Sequence, residues 1–363
     1  MKLLFTFFVP SGGVETLNRF RCRALLQAGI ECHLLYKRDG AGRQNILDIP
    51  HYITDRDEDL RHIIASHHYD AIIVTCDHLM LLRLREAGYQ GPLIYEAQGL
   101  GTLEAGANTM NEGTPFIRQY ACGAISTPTP HLMQLYHNYL AGFPCFYVNN
   151  FIDTSVFHHE EAPWLNPTGQ PILAWIGRLE SNKNWMLFLQ AGAELIRRVP
   201  ELQLWMFEDP NLAELGERER FQAAVAELNL HPHLSLKPNI PHSHMPYYYS
   251  AIGDYGGMLM STSRVEGFGY VVAEAMSCGC PVLSTDSDGV RSLIQPEVTG
   301  KLFSSGTVME GVDQALDLLY NKPKREALKQ NALLHIHTSF SPARYTADIV
   351  NVLVALGIRR FGS

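Results

Sequence analysis

The stretch Arg264-Val-Glu-Gly-Phe-Gly-Tyr-Val-Val-Ala-Glu-Ala-Met-Ser-Cys-Gly-Cys-Pro-Val282 decides how this chain is read. A Gly-Phe-Gly turn opens an apolar helical run, Tyr270–Ser277, and a Cys-Gly-Cys-Pro segment ends it before an apolar strand at 281–284. The turn leaves backbone N–H groups unpaired at a helix N-terminus, where phosphate or sugar oxygens can bind. Glu266 and Glu274 flank that turn. At 3.6 residues per turn, Glu274 falls about two turns along, near the same face. One carboxylate can meet one end of an elongated polar ligand and the second a group further along it. A sugar nucleotide has that shape.

Working outward, the same alternation of short apolar runs and amphipathic segments fills the chain. In the first half, strands are expected at 3–9, Glu31–Tyr36, Ala71–Thr75, 92–95, Gly123–Ser126 and 145–148, with helices at 14–28, Asp57–Ser66 and 79–87. The stretch 154–170 breaks the pattern with His158-His-Glu-Glu161, prolines and a glycine, and reads as a linker. Alternation then restarts, with strands at Ile172–Ile176, 202–207, 234–236, 255–260 and 281–284. Helices are expected at Trp185–Arg198, 212–228, 246–251, Tyr270–Ser277, 309–320, 323–337 and 345–356. Such alternation implies α/β domains with parallel, doubly wound sheets, and ligands of those sheets bind outside the carboxyl ends of the strands. Two such domains, 1–153 and 171–344, facing a central cleft, are the expected architecture.

Composition narrows the class. The chain has 363 residues, 46% hydrophobic and 18% charged, enough for large cores and unlike a disordered protein. A net charge of −8 argues against a general nucleic-acid binder. No apolar run reaches the ~18 residues of a membrane span. The start, Met-Lys-Leu-Leu-Phe-Thr-Phe-Phe-Val9, followed by Pro-Ser-Gly-Gly, fits a first buried strand and its loop better than a signal peptide. Seven scattered cysteines, none in a Cys-x-x-Cys pair, read as reduced thiols of a cytoplasmic protein. The sixteen histidines, His242-Ser-His244 among them, show no metal-ligand spacing and read as surface or loop residues.

The glutamate stretch, ending Ala-Met-x-x-Gly-x-Pro-Val, resembles the signature of retaining glycosyltransferases of family 4, which have the GT-B fold. Other pieces follow in the same order. Pro10-Ser-Gly-Gly-Val-Glu15 resembles the family's first phosphate-facing loop, and Val148-Asn-Asn-Phe-Ile-Asp-Thr-Ser-Val-Phe157 its interdomain segment. Ile176-Gly-Arg-Leu-Glu-Ser-Asn-Lys-Asn184 resembles its Gly-Arg-Leu…Lys segment, and Gly289-Val-Arg-Ser-Leu-Ile294 and Thr299-Gly-Lys-Leu302 resemble the parts after the glutamates. The resemblance implies an acceptor-binding N-terminal domain, a donor-binding C-terminal domain and a last helix, 345–363, crossing back to the first domain.

It also implies roles. Arg178 and Lys183, on the loop after a strand, would meet a diphosphate, which an Arg fork and a Lys point charge both suit. Glu274 would accept hydrogen bonds from ribose hydroxyls. Glu266 would hold a donor-sugar hydroxyl or support positive charge at the anomeric carbon, and the N–H groups of Gly267, Phe268 and Gly269 would contact the sugar. Asn239 and Ile240 lie where relatives bind the nucleotide base through backbone groups. Gly12 and Gly13 serve either phosphate approach or a tight strand–helix turn. At Leu93-Ile-Tyr-Glu-Ala-Gln-Gly-Leu-Gly101, relatives often carry a His beside the donor sugar. Here Glu96 and Gln98 stand near that place, with Glu96 either catalytic or a buried structural carboxylate. Arg19, Arg21 and Arg23 read as a solvated helix face, short of the clustered charge a membrane contact needs.

The implied activity is transfer of a sugar from a nucleotide-diphosphate sugar, first of all a UDP-sugar, to the hydroxyl of a small-molecule, glycan or lipid-linked acceptor. No Asp-x-Asp motif stands in a plausible place, so no metal or cofactor is expected. Two rivals remain: a GT-B sugar-nucleotide epimerase, which would use the same nucleotide chemistry without an acceptor, and a non-catalytic GT-B adaptor or glycan-binding protein, which would be expected to lose the Arg, Lys or glutamates kept here.

Overall fold

The computed structural model describes residues 1–101 and 103–358, and the chain divides into two compact units. Met1–Phe151 and the chain from Phe340 form the first; Ile152–Ser339 forms the second.

The first unit runs β1 (Lys2–Phe7), α1 (Gly12–Gln27), β2 (Glu31–Tyr36), β3 (His51–Ile53), α2 (Asp57–Ser66), β4 (Ala71–Thr75), α3 (His78–Glu86), β5 (Leu93–Ala97), α4 (Leu103–Tyr120), β6 (Gly123–Ser126), α5 (Pro130–Tyr139) and β7 (Cys145–Tyr147). Its strands pair in parallel in the order β3-β2-β1-β4-β5-β6-β7. The central strands are continuous apolar runs such as Ala-Ile-Ile-Val-Thr75, buried along their whole length, because helices cover both faces of a parallel sheet. Lys2–Phe7 is an interior strand of this sheet, third of the seven.

The second unit runs β8 (Ile172–Ile176), α6 (Trp185–Arg198), β9 (Gln203–Glu208), α7 (Glu217–Glu227), β10 (Leu234–Pro238), α8 (Met245–Asp254), β11 (Met258–Ser261), α9 (Tyr270–Ser277), β12 (Val282–Thr285), β13 (Lys301–Phe303), α10 (Val308–Tyr320) and α11 (Lys322–Ser339). The order is β10-β9-β8-β11-β12-β13, again parallel. Trp175, Phe188, Leu204, Met206 and Leu283 are buried in its core. A last helix, α12 (Pro342–Ala355), starts at Ser341, whose hydroxyl accepts from Arg344 N, with Pro342 at its first position. It packs on α1 of the first unit, and Tyr345 lies 4.7 Å from Phe151 between ring centroids.

Both orders reverse direction once, between β1 and β4 and between β8 and β11. A doubly wound sheet opens a crevice at that point, outside the strands' carboxyl ends. Gly12 follows β1, Arg178 follows β8 and Glu266 follows β11.

Three expectations need correction. Helix α4 is absent from the periodicity because Gly106, Gly113 and Pro115 look like breakers. The glycines are there for packing: a Cβ at Gly106 would meet Leu135 at 2.9 Å, and one at Gly113 would meet His78 at 3.0 Å. The stretch 154–170 is no free linker. It packs within the second unit, with Phe157, Ala162 and Asn166 buried, Ser277 Oγ donating to the Phe157 carbonyl (2.5 Å) and Glu160 N to Ser250 Oγ (2.9 Å). Arg19 and Arg21 do not form a solvated face: both are buried, Arg19 against Glu15 at 3.0 Å.

Candidate functional site

The site is built on three loops at the carboxyl edge of the second sheet. After β8 the chain turns at Gly177, where a Cβ would press on the Trp175 ring at 3.0 Å and on Lys183 Cγ at 3.2 Å. A short 3-10 turn, Ser181–Lys183, leads to Asn184, a left-handed residue (φ 50°) at the start of α6. Asn182 ties this loop to the one after β11. Its Nδ2 donates to Val265 O (3.1 Å), its Oδ1 accepts from Val265 N (3.1 Å) and its carbonyl from Arg264 N (2.9 Å). Thr262 adds a second tie, donating to Lys183 O at 2.8 Å while accepting from Trp175 Nε1 at 3.0 Å. Lys183 and Glu266 are thereby brought together from 83 positions apart, Nζ to Oε1 2.5 Å. Arg178 is exposed on the same loop and pairs with Glu180 at 3.0 Å.

The Gly267-Phe-Gly269 turn sits directly after Glu266. Gly269 takes φ 88°, a left-handed conformation that glycine reaches without a Cβ penalty, and caps the N-terminus of α9. The loop after β12 supports the turn from behind. Gly289 N donates to Glu266 O at 3.0 Å, and its own lack of a Cβ leaves room for the 266–268 backbone. In the Asp286-Ser-Asp288 run of that loop, Asp286 accepts both its hydrogen bonds from Arg291, at 2.7 and 2.8 Å.

Helix α9 is almost wholly buried and carries Glu274 inside it, 3% exposed. A buried carboxylate needs donors, and it has them. His242 Nε2 meets Oε1 at 2.8 Å, and Tyr249 Oη donates to Oε2 at 2.8 Å. Burial first, and then the adjacent Glu274 charge, push the Tyr249 hydroxyl well above the usual phenol range, so it stays a donor. Directly after β10, Asn239 takes a left-handed conformation (φ 48°), its N–H donating to Glu208 O at 3.0 Å, with Ile240 next and His242 opening a short turn.

Of the expected residues, Arg178, Lys183, Glu266, Gly267, Phe268, Gly269, Glu274, Asn239 and Ile240 thus lie on the second unit's carboxyl-edge loops or the helix they open. His242, Tyr249, Asn182 and Thr262 join them without having been assigned roles. Their signal is weak because each is an ordinary polar residue in the sequence, and His242 is 32 positions from Glu274.

In the first unit, Gly12 has φ 67° and open space where a Cβ would stand, and with Gly13 it opens α1 at the crevice edge. Glu96 is different, and its surroundings are those of the buried-carboxylate alternative. It is 1% exposed, and Arg21 Nη1 donates to both its oxygens at 2.8 Å. Thr75 Oγ1 donates at 2.7 Å and Gln98 Nε2 at 2.9 Å, while Gln98 Oε1 accepts from Asn150 at 2.7 Å. All the acceptor positions of a carboxylate are then occupied within the protein. Glu96 is a structural partner of Arg21.

Anabaena HepE in complex with UDP-glucose matches 98% of this chain and 100% of its own, with TM-score 0.83 and 18% identity. Sucrose-phosphate synthase from Thermosynechococcus elongatus covers 98% and 99%, with TM-score 0.82 and 18% identity. With two parallel, doubly wound sheets, the fold is the GT-B architecture. Residues 157–335 match the family described as glycosyl transferases group 1. A D-inositol 3-phosphate glycosyltransferase of Nocardia farcinica is 27% identical over 169 residues, 46% of this chain and 37% of that protein. A GDP-mannose-dependent alpha-(1-6)-phosphatidylinositol monomannoside mannosyltransferase of Mycolicibacterium smegmatis is 29% identical over 162 residues, 44% and 41% of the two chains. The chain therefore spans less than half the length of these relatives. Among the described residues no helix is long and apolar enough to cross a membrane.

Proposed function

We propose that this protein is a retaining glycosyltransferase of the family 4 type, moving a sugar from a nucleotide-diphosphate sugar to an acceptor hydroxyl without a metal ion. The observation that carries this reading is the joining of Lys183 and Glu266 at 2.5 Å, beside Arg178 and at the mouth of the Gly267-Phe-Gly269 turn. A leaving diphosphate needs positive charge where its negative charge develops. Lys183, Arg178 and the N-terminal amides of α9 supply it from the protein. Diphosphate, with its higher charge, would draw Lys183 from Glu266 and leave that carboxylate for a sugar hydroxyl or the oxocarbenium-like centre. Glu274 would take the ribose, and the backbone at Asn239 and Ile240 the base. The acceptor hydroxyl would attack from the face the diphosphate leaves, with a phosphate oxygen receiving its proton.

A UDP-sugar is the first donor to test, supported by the HepE complex with UDP-glucose; a GDP-sugar is the second, from the mannosyltransferase relative. A thermal-shift panel of nucleotide sugars selects between them, since a ligand at 100 times its Kd raises apparent stability by about 2.7 kcal/mol. With the donor so found, Lys183→Ala lowers turnover by about 100-fold or more, the scale of one lost charge-stabilising group, and Glu274→Ala raises the donor KM by about tenfold or more, the scale of a lost hydrogen bond to a charged group, both at unchanged circular dichroism. Wild-type kcat and KM in both variants would overturn the proposal.

A further inference from the structure

Glu274 receives one hydrogen bond on each oxygen from the chain itself, from His242 Nε2 on Oε1 and from Tyr249 Oη on Oε2, both 2.8 Å. An ionised carboxylate offers roughly four acceptor positions, so about two remain. The two donors differ. Tyr249 is fully buried in α8, whereas His242 keeps 18% of its side chain exposed on the turn after β10. That turn begins three positions after Asn239. The His242 ring lies against Phe157, with centroids 4.9 Å apart. Phe157 is itself buried, and Ser277, at the end of α9, holds its carbonyl. Because Nε2 faces an anion, Nε2 carries a proton and donates in both the neutral ring and the imidazolium.

We propose that His242 is a positioning residue for the nucleoside. It fixes Oε1 of Glu274, so that the two remaining acceptor positions keep the one orientation that a vicinal diol can match. The site then selects a ribonucleoside over its 2′-deoxy counterpart. This rests on the reading of Glu274 as the ribose carboxylate. The terminal torsion of a glutamate is soft, so without His242 the carboxylate swings about its Tyr249 bond and the diol geometry is lost. Backbone groups facing the rest of the nucleotide are untouched.

The test is calorimetric titration of the full chain with UDP, GDP and ADP, then with the 2′-deoxy form of whichever binds. The wild type is expected to prefer the ribonucleotide by about tenfold or more, the worth of a hydrogen bond to a charged group. His242→Ala is expected to bring that ratio close to one and to raise the donor KM about tenfold, on the same scale, with kcat little changed. His242→Asn, which keeps an N–H donor, restores part of the ratio. If His242→Ala unfolds, His242→Phe keeps the packing on Phe157 without the donor and carries the same reading. A merely structural role would weaken both nucleotides equally. A donor-less variant that keeps the wild-type ratio while Glu274→Ala loses it overturns the role of His242 and leaves that of Glu274 standing. A wild type that binds none of the three nucleotides, or a Glu274→Ala that keeps the ratio, overturns both.

Discussion

At the carboxyl edge of the first sheet, Glu96 is enclosed by Arg21, Thr75 and Gln98; at the same edge of the second, Glu266 meets one lysine and stays partly exposed. Around these carboxylates the strand order is the same, with each sheet reversing once beside its first strand. The difference lies in where the balancing cation comes from. Arg21 rises from the middle of α1, fully buried, its guanidinium 3.8 Å from the centre of the Phe5 ring, and is committed to Glu96. Lys183 comes from a loop and reaches Glu266 from a solvent-facing position, where a competing anion can take it. One topology thus supplies a rigid buried ion pair and an exchangeable one.

The largest effect expected from breaking this contrast is on stability. Arg21→Leu leaves Glu96 buried without its cation, which costs about 3–5 kcal/mol, to be read as a fall in the urea midpoint. The double variant Arg21→Leu with Glu96→Leu should recover most of the loss, because a buried pair replaced by apolar groups is often close to neutral. In the second unit, Gly289→Ala presses a methyl group on the backbone of 266–268, which cannot swing away. Overpacking of this kind costs about 1–3 kcal/mol, and turnover falls because the Gly267-Phe-Gly269 amides move. Stability lost at unchanged turnover would show that the turn's position is unimportant.

The smallest effect concerns charges of the second unit far from that edge. Hydrogen bonds from Lys301 and then Lys324 pull the Asp317 carboxyl down to about 2. An unfolded Asp titrates near 3.9. The depressed value means that the pair's contribution is full above about pH 4 and is lost as pH falls toward 2. Asp317 is about one-third exposed (34%), so screening holds the contribution to about 1 kcal/mol or less. Asp317→Asn should flatten the acid limb of a stability–pH curve by that amount and leave donor binding unaltered.

Much of the site was legible because it is local. Glu266, the glycine turn and Glu274 share one uninterrupted stretch, and the helix between the two carboxylates is set by neighbours in sequence. What was not legible has long-range causes. His242 and Tyr249 reach Glu274 only because α8 and α9 pack together. Arg19 and Arg21 look solvated on a helical wheel and are buried because α1 is covered by the sheet and by α12. The glycines of α4 look like loop signals until the close approach of α3 and α5 explains them.

By itself the sequence determined the alternation of strands and helices, the parallel character of both sheets and the turn that opens α9. Those depend on hydrophobic period and on glycine, which act over a few residues. The tertiary structure alone decided which partner each carboxylate has: Arg21 for Glu96 across 75 positions, Lys183 for Glu266 across 83, His242 for Glu274 across 32. Charges find one another through strand order and helix packing, which no short window of sequence contains.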